Sequence, residues 1–151
     1  VAAMAAEVLG AHGRVDVLVN NAGHWVRVLP FHLGAPEHWD KVLDVNLRQI
    51  FLVTQAFLGG MLEQGSGVIV NVSSIEGVRA YPNDPVYASA KAAVNQFTAS
   101  MALAYGRKGI RVVGIAPDIT NTAQVPYDET VQSLRNVLEA TRAARASRAS
   151  R

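Results

Sequence analysis

Val15-Asp16-Val17-Leu18-Val19-Asn20-Asn21-Ala22-Gly23 is a short apolar, β-branched run that ends in two amides and two small residues. A strand of a parallel sheet, covered on both faces, reads as such a run and not as strict alternation. Val68-Ile69-Val70-Asn71-Val72 repeats the pattern and runs into Ser73-Ser74. Ile110 to Ala116 is a third such run, closed by Pro117. The segments between them have helical spacing. Residues 1–12 carry Val1, Met4 and Val8 as a stripe among alanines, framed by Gly10 and Gly13. From 37 to 63, Trp39, Val42, Val45, Gln49, Leu52, Ala56 and Phe57 recur at steps of three and four, with Asn46 on this otherwise apolar helix. A third helix carries Tyr87 and Lys91 and runs to about Arg107, with Ala90, Val94, Phe97, Met101 and Ala104 on one face. Residues 24–36 and the stretch with Gly77, Pro82 and Pro85 read as loops.

Helix and strand therefore alternate. That order predicts an α/β fold with a parallel sheet and right-handed crossovers. Ligands bind such sheets beyond the carboxyl ends of the strands. Asn20–Gly23, Ser73–Ser74 and Pro117–Thr122 all sit at those ends, and Tyr87 opens the helix after one of them.

Bulk properties narrow the classes. Half of the 151 residues are hydrophobic and 17% are charged, which suits a globular chain with a real core. A formal charge of +2 is too small to argue for nucleic acid, and Arg142, Arg145, Arg148 and Arg151 of a solvated tail contribute to it. Without cysteine there is no disulfide and no thiolate metal site, and the composition fits a reducing cytoplasm. His12, His24, His32 and His38 show no ligand spacing, so no metal is expected. No run approaches the roughly 18 apolar residues of a membrane span, and no signal peptide is visible. Val1 in place of a methionine suggests that the sequence starts partway through a longer protein.

Tyr87 and Lys91 lie four residues apart, which puts phenol and ammonium on one helix face. A free tyrosine, with a pKa of about 10, is a poor base at neutral pH. A fixed ammonium nearby is expected to lower that value and fit the phenol for proton transfer. The same spacing also suits an ordinary surface pair.

Asn20-Asn21-Ala22-Gly23, Asn46 within Asp44-Val45-Asn46-Leu47, Ser74 within Asn71-Val72-Ser73-Ser74, Tyr87-x-x-x-Lys91 and Pro117 resemble, in order, the short-chain dehydrogenase/reductase family. The thirteen residues from Ser74 to Tyr87 fit as well, and the resemblance covers about residues 1–126. It implies a Rossmann-like, doubly wound parallel sheet, here incomplete and holding about strands four to six. It also implies hydride transfer between NAD or NADP and a small alcohol or carbonyl substrate. Tyr87 would be the acid/base, and Lys91 would tune it and bond the nicotinamide ribose. Ser74 would hold the substrate oxygen, and Asn46 would hold a water that links Lys91 to solvent. Asn20, Ala22, Gly23, Pro117, Ile119 and Thr122, together with Tyr87 and Lys91, would contact the cofactor. Asn20 and Asn21 read equally well as structural ties between strand ends.

Two departures stand out. The family's glycine-rich pyrophosphate loop has no counterpart before Val15, and Asp118 stands where the family usually has glycine after Pro117, bringing a negative charge toward the nicotinamide. The choice between NAD and NADP is therefore unreadable, as is the substrate. Residues 127–151 are expected to form a separate segment, with an amphipathic helix over 128–141 and an Arg/Ala/Ser tail. The Val15–Val19 strand would be an exposed apolar edge, and homo-oligomers are expected through the two long helices at about 38–62 and 85–107. Two other functions remain open: a truncated product acting only through helix association, and a non-redox dehalogenase-like or epimerase-like enzyme on the same scaffold. Lys91 speaks against the dehalogenase-like version, where arginine is typical.

Overall fold

A computed structural model of the chain describes residues 1–118, 120 and 136. Three parallel strands, β1 (Val17–Asn20), β2 (Gly67–Val72) and β3 (Ile110–Ile115), pair in the order β1-β2-β3. The register places Leu18 beside Ile69 beside Val112, and Asn20 beside Asn71 beside Gly114. Helix α1 (Ala2–His12) precedes the sheet. Helices α2 (Pro36–Leu43) and α3 (Gln49–Gln64) connect β1 to β2, and α4 (Pro85–Tyr105) connects β2 to β3. This is the expected Rossmann-like α/β arrangement, with three strands of a parallel sheet. The expected strand boundaries shift by no more than two residues.

The core lies on one face of the sheet. Leu18, Ile69, Ile110 and Val112 pack with Ala5 of α1 and with Phe57 and Met61 of α3, while Met101, Ala102 and Tyr105 of α4 lean on the same cluster. Right-handed crossovers between strands in sequential order deliver their helices to one side. The opposite face differs. Val17 and Val19 are each 55% exposed and Val113 is 47% exposed. Among the described residues, strands composed for burial on both faces are thus covered on one, and β1 is an edge.

The helix expected over 37–63 is interrupted. A π-helical turn, Asp44–Arg48, joins α2 to α3 and carries Asn46, which is fully buried. Such turns insert one extra residue and are frequent at functional positions. The Asn46 amide donates to the carbonyls of Val42 and His24, both at 3.0 Å, which ties the turn to the loop after β1.

Helix α4 starts where its cap dictates. Asp84 Oδ1 accepts the Tyr87 backbone N–H at 3.1 Å, and Pro85 occupies the first turn. The boundary expected after residue 126, the helix over 128–141 (Asn136 apart), the basic tail, and the positions of Ile119 and Thr122 lie outside the described residues.

Candidate active site

The site is built where the carboxyl ends of β1 and β2 meet the first turns of α4. Tyr87 is 9% exposed and Lys91 4% exposed. Ser74 follows β2 and caps a short turn, Ile75–Gly77, by accepting the Glu76 backbone N–H at 3.2 Å. The Ser74 side chain also hydrogen-bonds the Tyr87 phenol. Ser74 and Tyr87, thirteen residues apart in sequence, are therefore brought together.

This approach depends on residues that the spacing arguments passed over. Ser73 donates from its hydroxyl to the Lys91 carbonyl at 2.9 Å. Asn95 donates to the Gly77 carbonyl at 3.1 Å. Gly77 lies so close to α4 that a Cβ there would stand 2.6 Å from the Lys91 carbonyl carbon and 2.8 Å from the Ala92 nitrogen. Only glycine permits that contact. Together these residues clamp the turn after Ser74 against the helix that carries Tyr87. The ends of β2 and β3 are tied in turn: the Ser73 N–H donates to Ile115 and the Ile75 N–H to the Pro117 carbonyl, at 2.7 and 2.9 Å.

The Tyr87–Lys91 electrostatics differ from the expectation. The Lys91 Nζ donates to the Val72 carbonyl at 3.1 Å and stands 5.7 Å from the centroid of the Tyr87 ring. Burial pushes the Tyr87 phenol above its ordinary value, and the charges of Glu76 and Asp84 push it the same way. What favours the phenolate is the Ser74 hydrogen bond. Burial likewise pulls the Lys91 ammonium below its usual range. Four-residue spacing placed the ammonium over the ring face instead of at the phenol oxygen. Tyr87 is accordingly a protonated donor at neutral pH.

Gly23, Asn46 and Lys91 converge. A Cβ on Gly23 would stand 3.0 Å from Asn46 Oδ1 and 3.4 Å from Lys91 Nζ. Asn46 Oδ1 is buried and has no hydrogen-bond partner among the described residues. A buried cation, an unmet acceptor and a bare glycine backbone fit the ribose and nicotinamide end of a dinucleotide. The Ala22 carbonyl accepts from Gln49 Nε2 at 2.8 Å, which holds that backbone in place.

Asn20 is placed differently. Its amide donates to Thr54 Oγ1 at 3.0 Å and to Asn71 Oδ1 at 2.8 Å; Asn71 donates to Thr98 Oγ1 at 2.9 Å, and Thr98 to the Val94 carbonyl at 2.7 Å. All four polar side chains are buried. The Asn20 side chain therefore ties β1, β2, α3 and α4 together. Asn71, amid an apolar strand, was the readable sign of such a network; Thr54 and Thr98 gave none.

Asp118 does not carry a bare charge. Its Oδ1 pairs with Arg79 Nη2 at 3.4 Å, and Arg79 pairs also with Glu76 Oε1 at 3.5 Å. Trp25, which no motif singled out, packs its ring 6.1 Å from that of Tyr87. Among the described residues, no group of three or more His, Asp or Glu is placed to hold a metal ion, and no helix is long and apolar enough to cross a membrane.

Comparison with known proteins agrees with this fold. An acetoacetyl-CoA reductase of Acinetobacter sp. (strain RA3849) is 43% identical over 119 residues, covering 79% of this chain and 48% of the relative. A levodione reductase of Leifsonia aquatica is 42% identical over 113 residues, covering 75% of this chain and 42% of the relative. The structure of a gluconate 5-dehydrogenase from Burkholderia cenocepacia J2315, in complex with NADP and tartrate, superposes with a TM-score of 0.75 at 36% identity, over 80% of this chain and 47% of that one. The chain thus spans about half the length of the curated relatives it matches. A family model described as short chain dehydrogenase matches residues 1–132, and the chain belongs to that family.

Proposed function

We propose that the protein is an oxidoreductase, or the catalytic part of one, that moves a hydride between NAD or NADP and a small alcohol or carbonyl compound. The observation that carries this reading is the buried, protonated Tyr87, hydrogen-bonded by Ser74 and set one turn from the buried Lys91. A bound nicotinamide dinucleotide would supply the hydride for reduction or receive it in oxidation. Ser74 and Tyr87 then hold the substrate oxygen between two hydroxyls. As negative charge develops on that oxygen, Tyr87 passes its proton to it. Lys91 binds the ribose, and its charge compensates the phenolate left behind. Asn46 Oδ1, unmet in the structure, holds the water through which a proton returns to Lys91 and Tyr87. Gly23 leaves room for the cofactor beside Lys91.

Substrate choice is open, since the relatives' names include an acetoacetyl-CoA reductase, a levodione reductase and a sorbitol-6-phosphate 2-dehydrogenase. A cytoplasmic location belongs to the same reading, because the composition suits a reducing compartment. Association of two copies does too. Phe51 of α3 packs on Phe97 of α4 at 4.7 Å, in a shallow groove of about 340 Å³ that also includes Leu52 and Met101. Phe51 and Leu52 are exposed there, and a second copy would bury them.

Titration of the purified protein with NADH and NADPH, followed by nicotinamide fluorescence and by turnover of small ketones, tests the reading. Binding and turnover, with turnover lost in Tyr87→Phe and binding kept, are expected. A folded sample that binds neither nucleotide sinks the redox function for this chain. It would favour instead the helix-mediated reading.

A further inference from the structure

The cap of α4 touches the proton donor directly. Asp84 Oδ1 accepts the Tyr87 backbone N–H at 3.1 Å, and Asp84 is 3% exposed. Its other oxygen, Oδ2, is buried and has no hydrogen-bond partner among the described residues. Serine or asparagine would satisfy the same N–H as well as aspartate does. Neither would leave an unmet charge in the interior, which costs stability. The partial positive charge at a helix N-terminus makes the carboxylate tolerable there. Neutral caps serve equally well, so capping leaves the charge unaccounted for.

That charge has a short path to the phenol. With Oδ1 on the Tyr87 N–H, only the length of one tyrosine side chain and one hydrogen bond separates it from the phenol oxygen. Both residues are buried, where salt screens little. A negative charge so placed opposes formation of a phenolate. Other groups act on the same ring. Glu76 and Tyr81, from the segment between β2 and α4, oppose the phenolate as Asp84 does, and the Ser74 hydrogen bond favours it. Lys91 Nζ, one turn along α4, stands 5.7 Å from the ring centroid. Trp25, from the loop after β1, packs on the ring and does not titrate. Arg79 pairs with Glu76 at 3.5 Å, whereas among the described residues no cation pairs with Asp84.

We propose that Asp84 is a positioning residue for proton transfer: one carboxylate oxygen fixes where Tyr87 enters α4, and the unpaired charge of the other keeps the phenol proton in place until a substrate oxygen takes it. The same charge makes the phenolate left behind a stronger base, so it regains a proton readily. This inference deepens the redox reading above, and its test does not need turnover.

Asp84→Asn and Asp84→Ser keep a cap and remove the charge, while Asp84→Ala removes both. The chain has 4 tyrosines, and the tyrosinate absorbance of each protein minus that of its Tyr87→Phe counterpart isolates the Tyr87 titration. That titration is expected at lower pH in both capped variants than in the parent. Their thermal midpoints should stay near the parent's, and that of Asp84→Ala should drop by about 2–4 °C. Where the parent unfolds in alkali before Tyr87 ionises, its alkaline unfolding midpoint is read instead. That midpoint should lie higher in Asp84→Asn, because less stability is lost as Tyr87 ionises. A Tyr87 titration unmoved or raised in both capped variants makes Asp84 a helix cap only and overturns the inference. Loss of fold in the Asn and Ser variants overturns it too, since the carboxylate would then be structural. If ketones are turned over, the alkaline fall of reductive kcat should move to lower pH in Asp84→Asn. A protein that reduces nothing yet shows the tyrosinate shift loses the redox reading and keeps this one.

Discussion

Two polar regions lie side by side at the sheet's carboxyl end, and their hydrogen bonding sets them apart. In the Asn20–Asn71–Thr98 chain the amide nitrogens and the Thr98 hydroxyl donate to groups that are themselves buried. Around Tyr87 and Lys91, buried atoms of Trp25, Asn46, Glu76 and Asp84 have no hydrogen-bond partner among the described residues. A satisfied network holds elements together, because breaking it leaves buried groups unpaired. An unsatisfied set has capacity left over for something that arrives. The contrast teaches that two buried asparagines of one family motif set, Asn20 and Asn46, do different work. Asn20 spends its amide within the fold, while Asn46 keeps an oxygen facing Gly23.

The comparison breaks or sharpens under substitution. Tyr87→Phe should lower turnover by about 100- to 10,000-fold, the usual range for a lost general acid, with the thermal midpoint nearly unchanged. A large drop in that midpoint would mean that Tyr87 belongs with the structural network. Asn71→Leu should do the opposite. It removes one hydrogen bond each from the Asn20 amide and the Thr98 hydroxyl, which keep Thr54 and the Val94 carbonyl as partners, at a cost of about 1–3 kcal/mol in urea unfolding. A cost below about 0.5 kcal/mol, the range of ordinary surface substitutions, would mean that the network stabilises nothing. Gly77→Ala joins the two regions. Its Cβ collides with the α4 backbone, so a loss of about 1–3 kcal/mol is expected, together with reduced turnover as Ser74 moves from Tyr87. Full activity in that variant would break the link between the clamp and the site.

The smallest effect is in pH. Tyr87 is raised above its ordinary 10.0, so the folded state holds that proton more tightly than the unfolded chain does. Its contribution is complete below pH 10 and is lost as pH rises through the folded value. Lys91 is lowered from 10.5, so the unfolded chain binds that proton more tightly. Stability from Lys91 therefore rises with pH between its folded value and 10.5. The two oppose each other in alkali. Tyr87→Phe removes the falling limb, so stability of the variant should climb where the parent levels off or declines, as read from urea midpoints at stepped pH. In the parent, reductive turnover should fall once pH passes the Tyr87 value.

Much of the fold was legible because it is local. Val15–Asn20, Val68–Val72 and Ile110–Ala116 announce strands by uninterrupted β-branched residues, and the strands observed fall within one or two residues of them. The π-helical turn at Asn46 was not legible. Periodicity over 37–63 tolerates one extra residue, and the turn is held by a carbonyl of His24, which is far away in sequence. Ser74, Tyr87 and Lys91 stood out by type and spacing, whereas Trp25, Ser73, Gly77 and Asn95 did not. Their roles lie in distances between segments: a ring beside Tyr87, a backbone pressed against α4. The charge expected from Asp118 was misjudged for the same reason, since Arg79, its partner, lies thirty-nine residues earlier.

The sequence by itself determined the alternation of helix and strand, the parallel sheet, and which residues stand at its carboxyl edge. Hydrophobic period and the order of turn and cap residues encode these directly. Only the tertiary structure decided the sign of the Tyr87 shift, because that depends on burial and on where Lys91 Nζ comes to rest, at the Val72 carbonyl. It alone separated Asn20 from Asn46, since hydrogen-bond satisfaction is a property of neighbours and not of residue type. It also decided that Leu18 and Ile69 are covered while Val17 and Val19 are bare, although composition treats them alike. The hand of the crossovers, and not the residues of the strands, chooses the face on which α3 and α4 land.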